Sequence, residues 1–274
     1  MNFVCPKCGG ELREIDRVKK CPLGHSFDRA KEGYYNLLPG GAGAHGDNRE
    51  MVLSRRAFLE AGHYAPLSRE LCSILCRLLP SGGCVLDAGC GEGYYTAAVA
   101  EALHRRDGLS RVLAFDVSKD AVRYAARRRG AGAVSYAVAT SYAMPIADGT
   151  VDAVVNVFSP MAESEVARVL RPGGYFIFAY PDCRHLWELK SVLYDTPYEN
   201  KPAEEAPLGF EAVDTVRIGY SISLDGAEQI MSLYSMTPYA YRTPRAGRER
   251  LEKLSHLDTR VEFCIAIYRK KEEK

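Results

Sequence analysis

The 274-residue sequence has no apolar run approaching the roughly 18 residues that a membrane-spanning helix needs. Its opening Met1-Asn2-Phe3-Val4-Cys5 has neither the basic region nor the apolar segment of a secretion signal. A cytoplasmic chain with no membrane partner is therefore expected. Net charge is also scarce, because 36 Lys and Arg against 35 Asp and Glu leave only +1. That excludes a global basic field as the means of holding nucleic acid and leaves only local patches. An even cysteine set is missing too. Of the nine cysteines, Cys72, Cys76, Cys84, Cys90 and Cys264 lie in apolar periodic segments, where a thiol behaves as a small hydrophobe, so no disulfide framework is expected. The 47% hydrophobic content suffices for one large domain with a sizeable core and one small module.

The most specific signal is Val85-Leu86-Asp87-Ala88-Gly89-Cys90-Gly91-Glu92-Gly93-Tyr94-Tyr95, a buried strand that breaks into alternating glycines and then a helix near Tyr94. Gly89 and Gly91 allow a sharp turn and a close backbone approach to a ligand, which the unpaired N–H groups of the helix start then face. The third glycine, Gly93, comes one residue too early for the Gly-x-Gly-x-x-Gly of dinucleotide enzymes, whose last glycine position is Tyr94 here. S-adenosylmethionine fits this loop better than NAD. Asp116, ending the next strand, is placed to take the two ribose hydroxyls, and Asp87 either contacts the cofactor through water or fixes the loop.

Near the N-terminus, Cys5, Cys8, Cys21 and His25 stand in the order C-x2-C-x12-C-x3-H. This is the pattern of a zinc ribbon or knuckle, and a closed Cys3His shell makes the metal structural. Arg13, Arg17, Lys19 and Lys20 lie between the knuckles, and residues 27–39 interleave basic and aromatic side chains. Such a stretch suits stacking on unpaired bases, or equally a connector whose tyrosines pack on the ribbon. The glycine-rich run 40–48 reads as a mobile linker that separates the module from the rest. A helix from about Arg49 ends at Gly62-His63-Tyr64, and a second carries Leu67, Leu71, Ile74, Leu75 and Leu78 on one face. Tyr64 is a candidate to cover a ligand or simply to cap a helix, and Arg55 or Arg56 a candidate for phosphate. The divisions are then 1–38 for the metal module, 39–80 for linker and helical lid, and 81–274 for the catalytic domain.

Strand patterns at 84–88, 111–116, 134–139, 152–158, 174–180, 211–223 and 261–269, with helical patterns between the first five, predict an α/β protein with a Rossmann-like, doubly wound sheet. The last two strands resemble the antiparallel hairpin that closes class I S-adenosylmethionine-dependent methyltransferases. In such sheets ligands sit beyond the carboxyl ends of the strands, where strand order reverses. This collects residues 87–93, 116–118, 140–145, 156–160 and 180–185. Asn156 and Ser159 are the candidates to hydrogen-bond a substrate base, or else they are turn residues. No catalytic triad is sought, since methyl transfer mainly needs alignment, and Cys90 reads as a packed residue.

Across its length the sequence closely resembles the RlmA (RrmA) family of 23S ribosomal RNA guanine-N1 methyltransferases, including its TlrB-type Gram-positive members. The resemblance rests on Cys-Pro-x-Cys at 5–8, Cys-Pro-x-x-His-x-Phe-Asp at 21–28, Ala-Lys-Glu-Gly-Tyr-x-Asn-Leu-Leu-Pro at 30–39 and Arg-Arg-Ala-Phe-Leu-x-Ala-Gly-His-Tyr at 55–64. It continues in Leu-Asp-x-Gly-Cys-Gly-Glu-Gly-Tyr-Tyr-Thr at 86–96, Arg-His-Leu-x-Glu-Leu-Lys at 184–190 and Met-Thr-Pro at 236–238. The resemblance implies zinc on Cys5, Cys8, Cys21 and His25, and S-adenosylmethionine on Tyr64, Gly91, Glu92 and His185. The implied substrate is one guanine in a domain II hairpin of 23S rRNA, and a homodimer is compatible with it. A methyltransferase acting on another RNA or a small molecule, or a non-catalytic rRNA-binding protein, are the alternatives.

Overall fold

The computed structural model describes residues 2–39, 46–128, 130, 132–160, 162–201 and 206–272. At the N-terminus β1 (Arg13–Ile15), β2 (Val18–Lys20) and β3 (Ser26–Asp28) form an antiparallel meander. Its first turn is the pair Asp16-Arg17, with φ of 49° and 66°, the double left-handed geometry that matches the twist of a tight hairpin. A two-residue strand, β4 (Tyr35–Asn36), follows.

Next come helix α1 (Arg49–Glu60), which Asn48 caps by accepting from the Met51 N–H at 3.0 Å, and α2 (Ala65–Leu78). The chain continues with β5 (Cys84–Ala88), α3 (Tyr94–Asp107), β6 (Arg111–Asp116), α4 (Lys119–Ala125), β7 (Ala133–Val138) and β8 (Val151–Val157). Then follow α5 (Glu163–Val169), β9 (Leu170–Pro181), α6 (Trp187–Leu193), β10 (Phe210–Asp225), α7 (Ala227–Ser235), a 3-10 turn at Pro238–Tyr241, α8 (Arg245–Leu251) and β11 (His256–Lys270).

The large sheet runs β10-β11-β9-β8-β5-β6-β7-β4, with β11 antiparallel to both neighbours and the remaining pairs parallel. Every residue of β5 and β8 is buried, as strands covered on both faces require. The chain runs outward from β5 to β7 and then returns to the other side of β5 as β8. That reversal opens the crevice between β5 and β8.

Two expectations change here. No helix joins β7 to β8: residues 139–150 form a loop that Arg168 of α5 staples by donating to the carbonyls of Ile146 and Met144 at 2.7 and 2.9 Å. And the N-terminal module is not set apart by its linker, most of which, residues 40–45, lies outside the described residues. The module is docked on the sheet edge, because β4 pairs in parallel with Ala137 and Val138 of β7, and the Val4 N–H donates to the Pro145 carbonyl at 2.8 Å. Phe3, Leu12 and Leu37 share one buried cluster with Leu113 and Ala137. Glu32 adds a latch, its side chain 7% exposed and held by Arg123 at 3.0 Å and Arg127 at 2.8 Å. Lys19, between the knuckles, is buried, with its Nζ 4.8 Å from the centre of the Tyr35 ring.

Candidate active site and metal centre

The chain reversal at β5 opens into a cavity of about 880 Å³ at the carboxyl ends of the central strands. Its walls come from α1, the glycine loop, the ends of β6, β8 and β9, and residues 236–241. Tyr64, Asp87, Gly89, Gly91, Glu92, Asp116, Ser159 and His185 all line it. Gly93 and Asn156 do not, and neither does the loop after β7, which faces the ribbon through Pro145.

The glycine loop is held from below and closely packed. A Cβ on Gly89 would collide with the Ser159 side chain, and one on Gly93, at φ 84°, would come within 2.8 Å of the Ala125 Cβ. Gly93 thus serves the packing of α3 against α4. Asp116 accepts from the Gly91 N–H at 2.9 Å and from the Ser118 N–H at 2.8 Å, one on each oxygen. Each oxygen keeps a lone pair, so the carboxylate can fix the loop and still accept from two hydroxyls. Asp87 accepts from the Thr96 hydroxyl at 2.5 Å, which pins the first turn of α3 to β5. Burial pushes the Asp87 pKa up to about 7, with the Thr96 hydrogen bond opposing the rise and the Asp116 charge adding to it. Glu92 is 2% exposed and ion-paired with Arg128, while its Oε1 has no partner among the described residues. Cys90 is buried, and burial holds its thiol well above the usual range, as a packed neutral group requires.

At the opposite end, the Glu262 N–H donates to His185 Nδ1 at 3.1 Å. Burial lowers the His185 pKa to about 3, so the ring is neutral and its one proton sits on Nε2. Nε2 lies 3.4 Å from the Tyr64 hydroxyl, which accepts that proton and keeps its own free for the cavity. The sharp turn that presents His185 is followed by Leu186, a buried residue in the left-handed region at φ 56°.

One residue of this cavity escaped the sequence reading. The Tyr95 hydroxyl is buried on the cavity wall with no hydrogen-bond partner among the described residues, and the doubled tyrosine after the glycine loop is its only sequence signal. Arg55 pairs with Asp47 inside the cavity, and so faces the glycine loop rather than an external phosphate. Arg56 makes a half-exposed ion pair with Glu60 at 2.9 Å. Phe158 stands at the cavity wall, 43% exposed.

Of the two readings given for Asn156, its surroundings match the turn residue. It is 1% exposed, its Nδ2 donates to the Pro160 carbonyl at 3.3 Å and its Oδ1 accepts from the Ser159 N–H at 3.2 Å. Each end of the amide thus shapes the turn that carries Ser159, and the side chain is buried away from the cavity.

In the ribbon, the donor atoms of Cys5, Cys8, Cys21 and His25 all lie within 4.8 Å of one another. The Cys8 and Cys21 sulfurs are 3.6 Å apart, and His25 Nδ1 is 3.5 Å from the Cys5 sulfur and 3.4 Å from that of Cys21. Zinc bonds of about 2.0 to 2.3 Å at a tetrahedral angle give edges of roughly 3.5 to 3.8 Å, so the four atoms already fit the ion. The cavity fits the cofactor on separate grounds: two half-engaged carboxylate oxygens at one end, and a buried unpaired hydroxyl with a free Tyr64 proton at the other.

The strand order, the glycine loop and the acidic end of β6 define a class I S-adenosylmethionine-dependent methyltransferase with an N-terminal zinc ribbon. Residues 3–42 match the family model for the RlmA N-terminal zinc ribbon, and residues 85–174 match that of a methyltransferase domain. The chain is 38% identical over 229 residues to the 23S rRNA (guanine(748)-N(1))-methyltransferase of Streptomyces fradiae, covering 81% of this chain and 79% of that protein. It belongs to the RlmA family. A fatty-acid O-methyltransferase of Mycolicibacterium smegmatis is 30% identical over only 54% of this chain and 53% of its own length. Among solved structures, a chain of the Haloferax volcanii complex between the Trm112 methyltransferase activator and a methyltransferase superimposes with a TM-score of 0.51 at 18% identity. That superposition covers 83% of this chain and 100% of that one and supports the fold alone. No helix among the described residues is long and apolar enough to cross a membrane.

Proposed function

We propose that this enzyme transfers a methyl group from S-adenosylmethionine to N1 of one guanine in a domain II hairpin of 23S rRNA, in the cytoplasm. What supports this reading most is that the similarity to a guanine-N1 methyltransferase spans four-fifths of the chain, whereas the similarity to a fatty-acid enzyme stops near half. Residues 1–38 serve RNA recognition, 39–80 form linker and lid, and 81–274 carry the chemistry. A homodimer is compatible with this arrangement and not required, since every residue assigned here belongs to one chain.

Cys5, Cys8, Cys21 and His25 hold one zinc, closed to further ligands and hence structural. Asp116 takes the ribose hydroxyls, while Tyr64, oriented by His185, donates at the amino-acid end. Asp87, Gly89, Gly91, Glu92 and Gly93 shape and support the loop between. When bound, the cofactor supplies a methyl already activated by its sulfonium, so the protein's task is alignment. Guanine N1 is protonated and normally paired, so the base enters the cavity unpaired or flipped, and its N1 proton passes to water or a nearby acceptor as the methyl leaves the sulfonium, which becomes a neutral thioether. Ser159, beside Gly89, is the side chain placed to hydrogen-bond its edge, with Asn156 holding the turn behind it.

Primer extension on 23S rRNA tests this, because N1 methylation blocks base pairing. A stop within the hairpin that disappears from a strain lacking the gene and returns on complementation is expected. An unchanged pattern would rule the reading out.

A further inference from the structure

Resting on the reading above, we propose that Phe158 is the platform on which the target guanine stacks. Its backbone has φ 58°, a left-handed conformation that a bulky side chain adopts only when its surroundings impose it. The imposition is visible. The Phe158 N–H donates to the Ala179 carbonyl at 3.0 Å, and the buried Asn156 amide clamps both Ser159 and Pro160. The turn is thus braced to hold an aromatic ring in a place where packing would not put it. Phe158 remains 43% exposed at the cavity wall, with Phe263 and Tyr64 as ring neighbours at 5.6 and 6.4 Å between centroids.

Position adds the second half of the argument. Ser159, the next residue, sits directly over Gly89 of the cofactor loop. A planar ligand on the Phe158 ring is therefore adjacent to the place where that loop holds the methyl donor. An unpaired purine loses its neighbours in the stack, and an aromatic face replaces them regardless of base identity. Stacking by Phe158 and edge contacts from Ser159 then divide the work of placement and selection.

The test uses the full-length enzyme, a transcript of the domain II hairpin and S-adenosylhomocysteine as cofactor probe. Phe158→Leu keeps an apolar side chain and removes the π face, and it should lower kcat/KM for the RNA by about tenfold or more. Its affinity for S-adenosylhomocysteine, measured by calorimetry, should stay within about twofold of wild type. Phe158→Trp should restore most of the turnover. Phe158→Gly, which suits a positive φ, should fold and bind S-adenosylhomocysteine while losing turnover on RNA. Wild-type kcat/KM in the leucine variant, or a parallel fall in S-adenosylhomocysteine affinity, would overturn the assignment by making the ring mere wall or cofactor support. Failure of the wild-type enzyme to produce N1-methylguanine in the hairpin would instead overturn the functional reading and this inference with it.

Discussion

The metal cluster sits beside the small three-stranded sheet and the methyl-donor cavity on the large one, and the two are built in opposite ways. The four metal-binding side chains come from two short knuckles within 21 residues, and their donor atoms lie within 4.8 Å of one another. The cavity draws on segments from Gly46 to Tyr241, and several of its polar groups depend on partners far along the chain. His185 owes its tautomer to Glu262, Tyr64 owes its orientation to His185, and Asp116 is shared with Gly91 and Ser118. A local site is complete as soon as its own turns form. A dispersed one exists only when the whole sheet does, and it leaves groups such as the Tyr95 hydroxyl unsatisfied for a ligand to meet.

That contrast breaks most visibly if the zinc is removed. Metal binding to such modules is worth on the order of 10 kcal/mol of folding free energy. Cys21→Ser, or chelation, should therefore unfold the ribbon and abolish RNA methylation, while calorimetry finds S-adenosylhomocysteine affinity within a few fold of wild type. Because β4 is part of the large sheet, the melting temperature of the catalytic domain should also fall, and an unchanged melt would show that the two regions are independent after all.

Asp116→Ala comes next. A hydrogen bond to a charged group is worth about 1.5 to 3 kcal/mol, so cofactor affinity should drop by roughly 10- to 150-fold in calorimetry, with little change in RNA binding. Tyr64→Phe and Tyr95→Phe sharpen the picture of the amino-acid end. Each removes a neutral donor worth about 1 kcal/mol, so each should weaken S-adenosylhomocysteine roughly fivefold while leaving methylthioadenosine, which lacks that end, unaffected. Equal losses for both ligands would place these hydroxyls elsewhere.

The last effect expected is one of pH. Burial holds Asp87 at about 7 in the folded chain against an ordinary 3.8, so between these values the folded state keeps a proton that the unfolded state releases. This contribution to stability is therefore greatest below about pH 4 and is lost as pH rises through 7. Denaturant melts of the ligand-free enzyme should show that decline, and Asp87→Asn should flatten it.

Much of the fold was legible because its signals are local. The buried apolar runs of β5, β6 and β8 placed those strands within a residue or two, and Gly62 marked the end of the first long helix. The zinc cluster was legible for the same reason. What escaped depends on tertiary contact. The loop at 139–150 has a helical pattern that Arg168 overrides from another element, and β4 is a strand only because β7 offers it an edge. Asn156 could not be distinguished from a base-binding residue until its amide was seen closing its own turn. Arg55 looked like a surface cation until Asp47 drew it inward.

The most direct test of the whole account is to treat unmodified 23S rRNA with the enzyme and isotopically labelled S-adenosylmethionine, then locate the methyl by mass spectrometry of nuclease fragments. The account predicts one labelled N1-methylguanine in the domain II hairpin; a label on an exocyclic amine, a ribose or a cytosine would contradict it.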